Sequence, residues 1–351
     1  QISGNKLLVK ALKEEGVTTL FGYPGACTID ISDELYKQDF TKVILPRQEV
    51  ALVHEADAYA RSTGKVGVCL VTSGPGATNL VTGLATAYYD SVPLVCFTGQ
   101  VSRHLIGNDA FQEVDIVGIT RSITKYGVTV RNREDLGRIL KEAFYIARTG
   151  RPGPVLIDLP KDVMGELGSA EYPETVNIRG YKPNTSVHIG QLKRAIKMLG
   201  RAKKPLFLAG GGVIISRANE VFTKLVEKTN IPVVTTVMGR GAIPTNHPLY
   251  IGNLGMHGSY AANMAVSPAS SAADASFVES SMIFSSVEFS TAPSCAGVSS
   301  VVLSATGDSF TGSSAGVSFA GSSVGVFFVS AAGEESYPST ETSVPPSELG
   351  Q

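Results

Sequence analysis

Apolar residues in the first 165 positions follow two patterns, helical stripes and short continuous runs. Leu7, Leu8, Ala11 and Leu12 form one helical stripe, and Gly16 ends it. Helices are predicted over residues 4–15, 48–62, the segment through Tyr89, and 133–150. Continuous apolar runs predict strands over residues 18–21, 42–46, 66–73, 93–99 and 154–160. Strands that are apolar on both faces and alternate with helices predict an α/β fold with a covered parallel sheet.

A second α/β unit follows a polar stretch. Residues 166–187 contain Pro173 and Pro183 and are predicted to be a linker between a first domain, 1–165, and a second, 188–266. The second domain is predicted to have strands at 205–212 and 232–236, with helices at 189–200, at 217–230 and, after "LGMHG" (254–258), through Met264. Two strands do not form a stable sheet by themselves. Either the remaining chain completes this sheet, or the domain is incomplete.

Composition divides the chain near Ser267. All 30 Lys and Arg residues precede that position, together with 23 of the 31 acidic residues, so the first part carries a charge of +7. Residues 267–351 carry −8 and include 24 Ser. This change argues against one continuous domain. We expect either that translation leaves its original frame near Ala265–Ser267 or that the tail is a genuine divergent C-terminus.

The overall composition narrows the classes of function. A net charge of −1 with 17% charged residues indicates a globular protein and gives no reason to expect nucleic acid or a membrane surface as a partner. No apolar run reaches the ~18 residues that a spanning helix needs. Cys69 and Cys96 lie inside apolar runs and are predicted to be reduced core thiols of a cytoplasmic protein.

Candidate chemistry lies in the loops that follow the predicted strands. "GYPGA" follows the first strand, Glu49 the second, "TSGPGATN" the third, and "GQVSRHLIGNDAFQEVD" the fourth. Carboxyl ends of parallel strands meet at one edge, where ligands bind. Taken alone, Glu49 is also explained as a helix-start carboxylate and the glycine loop as a tight turn. Four such loops at one edge favour a ligand site.

At this point the motifs show a resemblance. "FGYPGA", "PRQEVALVHEADAYARSTGKVGVCLVTSGPGATN", "FTGQVSRHLIGNDAFQEVDIVGITRS", "GRPGPVLIDLPKDV" and "LGMHGSYAANMAV" closely resemble the catalytic subunits of acetolactate synthases (acetohydroxyacid synthases). These are thiamine-diphosphate enzymes, and the resemblance covers residues 1–266. It implies a pyrimidine-binding domain over 1–165 and a shortened FAD-binding middle domain over 188–266. It also implies loss of CO₂ from pyruvate and condensation with a second 2-keto acid, pyruvate or 2-ketobutyrate.

The resemblance also assigns residues. It makes Glu49 the acid that hydrogen-bonds the cofactor's aminopyrimidine and so promotes removal of its reactive proton. The positions implied to contact thiamine diphosphate are Tyr23, Pro24, Gly25, Glu49, Thr72, Pro75, Asn79 and Gln112. Those implied to contact FAD are Arg151, Gly210, Gly211, Gly212, Thr235, Thr236, Met256 and His257. Those implied near the substrate are Gly25, Phe111, Gln112 and Lys161.

Several of these residues have plainer explanations. Without the family, Lys161 and Arg151 would be read as solvated charges near a strand end and His257 as a core histidine. The family usually has "GYPGG", whereas Ala26 stands here at the second glycine. If that backbone needs a positive φ, the substitution costs about 1 kcal/mol.

The family's diphosphate site is absent from the sequence. It binds Mg²⁺ through a GDG motif followed by Asn-Asn, and neither occurs here, so no metal ligand is predicted in this chain. The resemblance implies a homodimer or larger assembly, leaves a regulatory small subunit open as a partner, and predicts that this chain alone is inactive. The alternatives are another thiamine-diphosphate 2-keto-acid enzyme, an oxidase or decarboxylase, and a non-catalytic relative. Two G-x-S-x-G matches after residue 311 have no later histidine and are interpreted as chance.

Overall fold

The computed structural model describes residues 1–266 and, as backbone only, three later strands at Ser286–Phe289, Ser299–Leu303 and Val324–Phe328. The described residues form two compact units. The first runs from Gln1 to Thr185, and the second begins at Ser186. Within the described residues, no helix is both long and apolar enough to span a membrane.

The first unit contains a six-stranded parallel sheet. A short antiparallel pair, β1 (Ile2–Ser3) with β8 (Leu167–Gly168), lies outside it. The strands of the main sheet are β2 (Thr19–Gly22), β3 (Lys42–Ile44), β4 (Gly67–Val71), β5 (Leu94–Gln100), β6 (Tyr126–Thr129) and β7 (Pro154–Pro160). Their order is β3-β2-β4-β5-β7-β6, and every neighbouring pair is parallel. The predicted parallel α/β architecture is therefore confirmed. The sequence did not predict β6, a half-buried edge strand with little apolar signal.

Helices cover both faces of this sheet. They are α1 (Gly4–Glu14), α2 (Ile29–Tyr36), α3 (Glu49–Thr63), α4 (Pro75–Thr78), α5 (Val81–Asp90), α6 (Ile116–Thr120), α7 (Leu136–Arg148) and α8 (Lys161–Gly165). Successive residues of a strand point to opposite faces. Cys69 of β4 accordingly packs in one core cluster and Leu70 in the other. Cys69 and Cys96 are fully buried free thiols, as predicted.

The local sequence explains where the helices end. Ser3 caps α1 by accepting a hydrogen bond from the Lys6 amide, and Gln48 caps α3 by accepting one from the Val50 amide. Gly64 ends α3 with a φ of 69°, a left-handed conformation that suits glycine. These caps fix where α3 begins, which is where the candidate site lies.

Residues 166–185 pack against the first unit. Tyr172 donates a hydrogen bond to Glu15, and the backbone carbonyl of Ala170 accepts one from Lys10 Nζ. The buried guanidinium of Arg133 donates to the Ser169 carbonyl. The stretch whose polarity predicts a linker is therefore held to the domain before it by side-chain contacts.

The second unit has helices α9 (Ile189–Leu199), α10 (Gly211–Ile215), α11 (Asn219–Thr229) and α12 (Tyr260–Val266). Its strands β9 (Phe207–Ala209), β10 (Val233–Thr235) and β11 (Tyr250–Asn253) are parallel. The strand predicted over 205–212 ends earlier, at Ala209, because Gly211 already begins α10. The half-buried β11 was not predicted.

Backbone of the tail extends this second sheet. β12 (Ser286–Phe289), β13 (Ser299–Leu303) and β14 (Val324–Phe328) give the order β11-β10-β9-β14-β13-β12, with β14 antiparallel to β9. The sequence alone left open whether the remaining chain adds strands to this sheet, and the structure shows that it does. The predicted frame shift and the G-x-S-x-G matches concern residues 267–351, which otherwise lie outside the described residues.

Candidate active site

Loops from five strand ends meet at the carboxyl edge of the first sheet. Asn79, in the loop after β4, donates a 2.9 Å hydrogen bond to Oε2 of Glu49, the first residue of α3. Lys161, directly after β7, donates to the Ala26 carbonyl at 3.1 Å. The Cys27 amide lies 3.5 Å from Thr72 Oγ1. The convergence predicted from the parallel order of the strands is therefore present in the structure.

Glu49 is both a helix-start residue and part of this cluster. It occupies the first turn of α3, where the helix dipole favours a negative charge. One carboxylate oxygen, Oε2, is occupied by Asn79. Among the described residues none donates to the other oxygen, Oε1, which lies 3.5 Å from the position that a Cβ on Gly76 would occupy. A half-buried carboxylate with one fixed and one open oxygen can exchange a proton with a ligand.

Two glycines near this carboxylate allow the backbone to pack closely on Thr72. A Cβ on Gly25 would lie 2.4 Å from Thr72 Cβ, and one on Gly76 would lie 2.8 Å from Thr72 Cγ2. Both distances are too short for any side chain, so backbone forms this part of the edge. A hollow of about 680 Å³ at the same edge is lined by Tyr23, Pro24, Leu45, Pro46 and Arg47. The edge combines a carboxylate, an amide and close backbone with open space.

The loop between β5 and α6 brings Phe111 and Gln112 to this edge. Phe111 is 87% exposed, and Gln112 has a φ of 57°, which is unusual for a residue with a side chain. The Glu113 carboxylate accepts hydrogen bonds from the Gly107 and Ala110 amides. The Gly107 bond is the main cause that lowers the pKa of Glu113. Glu113 thus organises the loop that presents Phe111 and Gln112.

Ala26 does not strain the first loop. The residues with positive φ and a side chain are Ser91, Asp109, Gln112, Arg217 and Asn230 among those described, and Ala26 is not one of them. The expected cost of about 1 kcal/mol for a left-handed alanine therefore does not apply. Ala26 is exposed, and its backbone carbonyl accepts the hydrogen bond from Lys161 Nζ. Lys161 is an exposed residue that bonds this carbonyl, so its position fits both the solvated charge and the predicted substrate contact.

Gly74 combines a left-handed backbone with a close backbone neighbour at this edge. Its φ is 58°, and an added Cβ would lie 2.7 Å from the Gln112 carbonyl oxygen. We expect Gly74→Ala to lower the free energy of unfolding by about 1–2 kcal/mol for the left-handed backbone, with about 1–3 kcal/mol more for the contact. Gly16→Ala is the control, because Gly16 has a φ of 69° and nothing within 4 Å of an added Cβ. Equal losses in urea unfolding would contradict the close approach of Gln112.

One buried carboxyl group was missed by sequence reasoning. Asp158 of β7 is 1% exposed, and burial raises its pKa to about 6 although Thr98, Thr129 and Gln100 donate hydrogen bonds to it. The available signal was a charged residue inside the apolar run "PVLIDLP". That run predicts a strand correctly but does not indicate which buried side chains face the aspartate.

In the second unit, three strand ends bring together the other predicted positions. Gly210–Gly212 follow β9, Thr235 ends β10 and Thr236 follows it, and Met256 and His257 follow β11. Thr236 Oγ1 caps a 3₁₀ turn (Val237–Gly239), and Thr235 Oγ1 lies 3.1 Å from the Tyr250 hydroxyl. His257 is exposed, so the interpretation as a core histidine is wrong. In the first unit, Arg151 donates to Ser91 Oγ and to the Tyr89 carbonyl.

No metal centre is visible in the part of the chain that the structure describes. Within residues 1–266 there is no group of three or more His, Cys, Asp or Glu side chains positioned to hold an ion. The carboxylate at the candidate site is single, and its described neighbour is an amide.

Comparison with known protein families identifies both units of the chain. Residues 2–119 match the family described as thiamine pyrophosphate enzyme, N-terminal TPP binding domain, and residues 192–274 match the central domain of the same enzymes. The chain belongs to the thiamine pyrophosphate enzymes. Within that class the relatives described below are acetolactate synthase large subunits, the family that the sequence motifs indicated.

Three relatives show the extent of this similarity. The acetolactate synthase large subunit of Buchnera aphidicola subsp. Schizaphis graminum is 51% identical over 267 residues, 76% of this chain and 47% of the relative. The isozyme 3 large subunit of Escherichia coli is 50% identical over 75% of this chain and 46% of its own length. A probable large subunit of Methanocaldococcus jannaschii is 51% identical over 76% and 45%. The chain therefore spans about half the length of the curated relatives it matches.

Proposed function

We propose that residues 1–165 form the pyrimidine-binding half of an acetolactate synthase active site. The observation that carries the proposal is the environment of the Glu49 carboxylate: Asn79 donates a hydrogen bond to Oε2, and Oε1 is open beside Gly76. At this edge Gly25 and Gly76 pack too closely on Thr72 for either position to carry a side chain. The donor set suits an aminopyrimidine ring, which offers one ring nitrogen to a carboxylate and a flat face to close backbone. Tyr23, Pro24 and Gly25, with Thr72, Pro75 and Asn79, would hold that ring.

The proposed mechanism assigns each side chain a task. Thiamine diphosphate, when bound, supplies the nucleophilic carbon and the electron sink for decarboxylation of a 2-keto acid. Glu49 shares a proton through Oε1 with the pyrimidine ring nitrogen, and Asn79 keeps the carboxylate in the orientation this requires. Gly25, Phe111, Gln112 and Lys161 line the substrate side, where the Lys161 ammonium favours the substrate carboxylate.

The reaction proposed for the whole enzyme joins two 2-keto acids. Pyruvate loses CO₂, and the remaining two-carbon unit adds to pyruvate or 2-ketobutyrate, as in the biosynthesis of isoleucine and valine. We place the diphosphate and Mg²⁺ on the part of a whole synthase that this chain does not span. A homodimer or larger assembly in the cytoplasm, with a regulatory small subunit as a further partner, completes the proposal.

The second unit is proposed to bind FAD. Support comes from three loops at the carboxyl ends of parallel strands, where ligands of α/β sheets bind. Gly239 allows a close approach, since its added Cβ would lie 2.1 Å from the Ala209 carbonyl oxygen. We assign FAD contacts in this unit to Gly210, Gly211, Gly212, Thr235, Thr236, Met256 and His257. The family binds FAD without net redox chemistry, so its role here is structural.

A chimera tests the proposed activity. Residues 1–266 would replace the equivalent residues of the Escherichia coli isozyme 3 large subunit, and products from pyruvate would be separated. Acetolactate is the expected product. Acetaldehyde or acetate as the main product would instead support the decarboxylase or oxidase alternative, and a folded chimera without turnover would contradict the proposal.

The 351-residue chain alone is expected to form no acetolactate. Half of the proposed active site lies on the part of the synthase that it does not span, so the diphosphate would have no anchor. The measurement is acetolactate formation from pyruvate with thiamine diphosphate, Mg²⁺ and FAD present. Turnover that disappears in Glu49→Gln would show that the chain holds a whole site.

A further inference from the structure

A buried polar cluster lies under the candidate site, at the carboxyl ends of β5, β6 and β7. Asp158 of β7 is its centre. Thr98 of β5 donates to Asp158 Oδ1 at 2.8 Å, and Thr129 of β6 donates to Oδ2 at 3.0 Å. Gln100, the last residue of β5, donates to the same Oδ2 at 3.2 Å and is 3% exposed. Three strands therefore meet on one carboxyl group.

Gln100 also closes the loop that follows it. Its Oε1 accepts a 2.9 Å hydrogen bond from the Val101 amide, and its Nε2 donates a 2.9 Å bond to the Val114 carbonyl. One side chain thus holds the first residue of the 101–114 loop and the last. A carboxylate only accepts hydrogen bonds, so Asp158 requires the NH₂ group of Gln100 on its side. This orientation is the one in which Gln100 binds both ends of the loop.

We propose that Gln100 and Asp158 are a positioning pair that holds the 101–114 loop, and with it Phe111 and Gln112, against the sheet. Both side chains are buried, so neither is presented to solvent at the edge. The other anchors act elsewhere in the loop: Glu113 binds amides inside it, and Arg103 binds Asp162 of α8. The role in catalysis rests on the proposed function, because that function gives Phe111 and Gln112 their task.

The charge on Asp158 gives the pair a pH dependence. Burial raises the pKa of this carboxyl to about 6, and Asp115, the N-cap of α6, raises it further by repulsion. We take release of Gln100 from both ends of the loop to admit water to the Asp158 carboxyl, so that its pKa falls toward its ordinary value in the open state. A pKa that is higher in the closed state means that ionisation favours opening. The loop is therefore held more tightly below pH 6 than above it.

Hydrogen exchange on the 351-residue chain tests the pair without any cofactor. Protection of amides in residues 101–114, corrected for the intrinsic effect of pH on exchange, would be measured from pH 5 to 7.5. We expect protection to fall by about tenfold across this range in the wild type, because pH 5 lies about one unit below the closed-state pKa of about 6 and one pKa unit is a factor of ten. Asp158→Asn, which does not ionise, is expected to keep high protection at every pH.

Gln100→Met removes both loop contacts at similar side-chain size. Its loop protection is expected to be at least about fivefold lower at pH 5, since each hydrogen bond contributes about 1 kcal/mol. Thr120→Val is the matched control, because it removes a buried hydrogen bond to the Ile116 carbonyl outside the pair. It is expected to leave loop protection unchanged.

Two results would overturn the proposal. One is a flat wild-type profile together with wild-type loop protection in Gln100→Met. The other is a loss of protection in α1 and α7 of Gln100→Met equal to the loss in residues 101–114. That result would show general destabilisation of the domain and no specific hold on the loop. If Asp158→Asn does not fold, the wild-type profile and Gln100→Met decide. Because no cofactor takes part, a failed synthase assay leaves this test unaffected.

Discussion

Replacing Glu49 with Gln is expected to lower acetolactate formation by the chimera about 100-fold or more, within the range that a positioned acid–base group contributes. The amide has nearly the same shape and can still contact Asn79, so folding is expected to be unchanged. It cannot exchange a proton with a ring nitrogen. The loss is therefore expected in kcat rather than in the KM for pyruvate.

Glu55→Gln is the matched control for this experiment. Glu55 is on the same helix, is exposed, and removes the same charge when changed. Asn79→Asp provides a second comparison, because it replaces the hydrogen-bond donor to Glu49 with a second carboxylate 2.9 Å away. Like charges this close raise the pKa of one of the pair, so the pH profile of kcat is expected to shift upward. Equal activity in Glu49→Gln and Glu55→Gln would remove Glu49 from the mechanism.

The sequence predicts the first sheet well because its strands are buried on both faces. Runs such as "VGVCLVTS" are apolar throughout and can pack only inside a covered parallel sheet. β6 and β11 were missed for the opposite reason. Every residue of both is only half-buried, so neither strand needs a continuous apolar run. Both are edge strands, and which strand lies at an edge depends on the tertiary fold and is not visible in the local sequence.

The candidate site divides in the same way. Its convergence follows from parallel strands, because that order brings Glu49 and the glycine loop to one edge. The Asn79 bond to Glu49 and the Gln100 link between Val101 and Val114 could not be predicted. Asn79 and Glu49 are 30 residues apart in the sequence, and Gln100 and Val114 are 14 apart, so these bonds depend on the tertiary fold. Sequence patterns identify the residues that reach the edge, but not the pairs that hold them in place.

The packing of residues 166–185 on the first unit depends on a second buried carboxylate, Glu15. Its side chain is 2% exposed, with Lys141 Nζ and Arg148 Nη2 each 2.7 Å from one of its oxygens. The Tyr172 hydroxyl donates a 2.9 Å bond to the same group. Removing one partner of a buried ion pair leaves the other charge without compensation. We expect Glu15→Ala to lower the free energy of unfolding by about 3 kcal/mol.

The measurement for Glu15 is urea unfolding at several pH values, with Glu14→Ala as the exposed neighbouring control. Burial alone would raise the pKa of Glu15, but Lys141 and Arg148 outweigh burial and lower it below 4.5. An acid whose pKa is lower in the folded state stabilises it above its unfolded pKa, and this stability is lost as the pH falls through the folded pKa. The difference between wild type and Glu15→Ala is therefore expected to be full at pH 7 and to shrink below about pH 4.5. A difference that stays constant with pH would show that Glu15 stabilises by packing and not by its charge.

Tyr172→Phe, which keeps the charge on Glu15 and removes one hydrogen-bond donor to it, is expected to lower the free energy of unfolding by about 1 kcal/mol. It is also expected to raise proteolytic cleavage within 166–185, because the segment loses its hydrogen bond to the first unit.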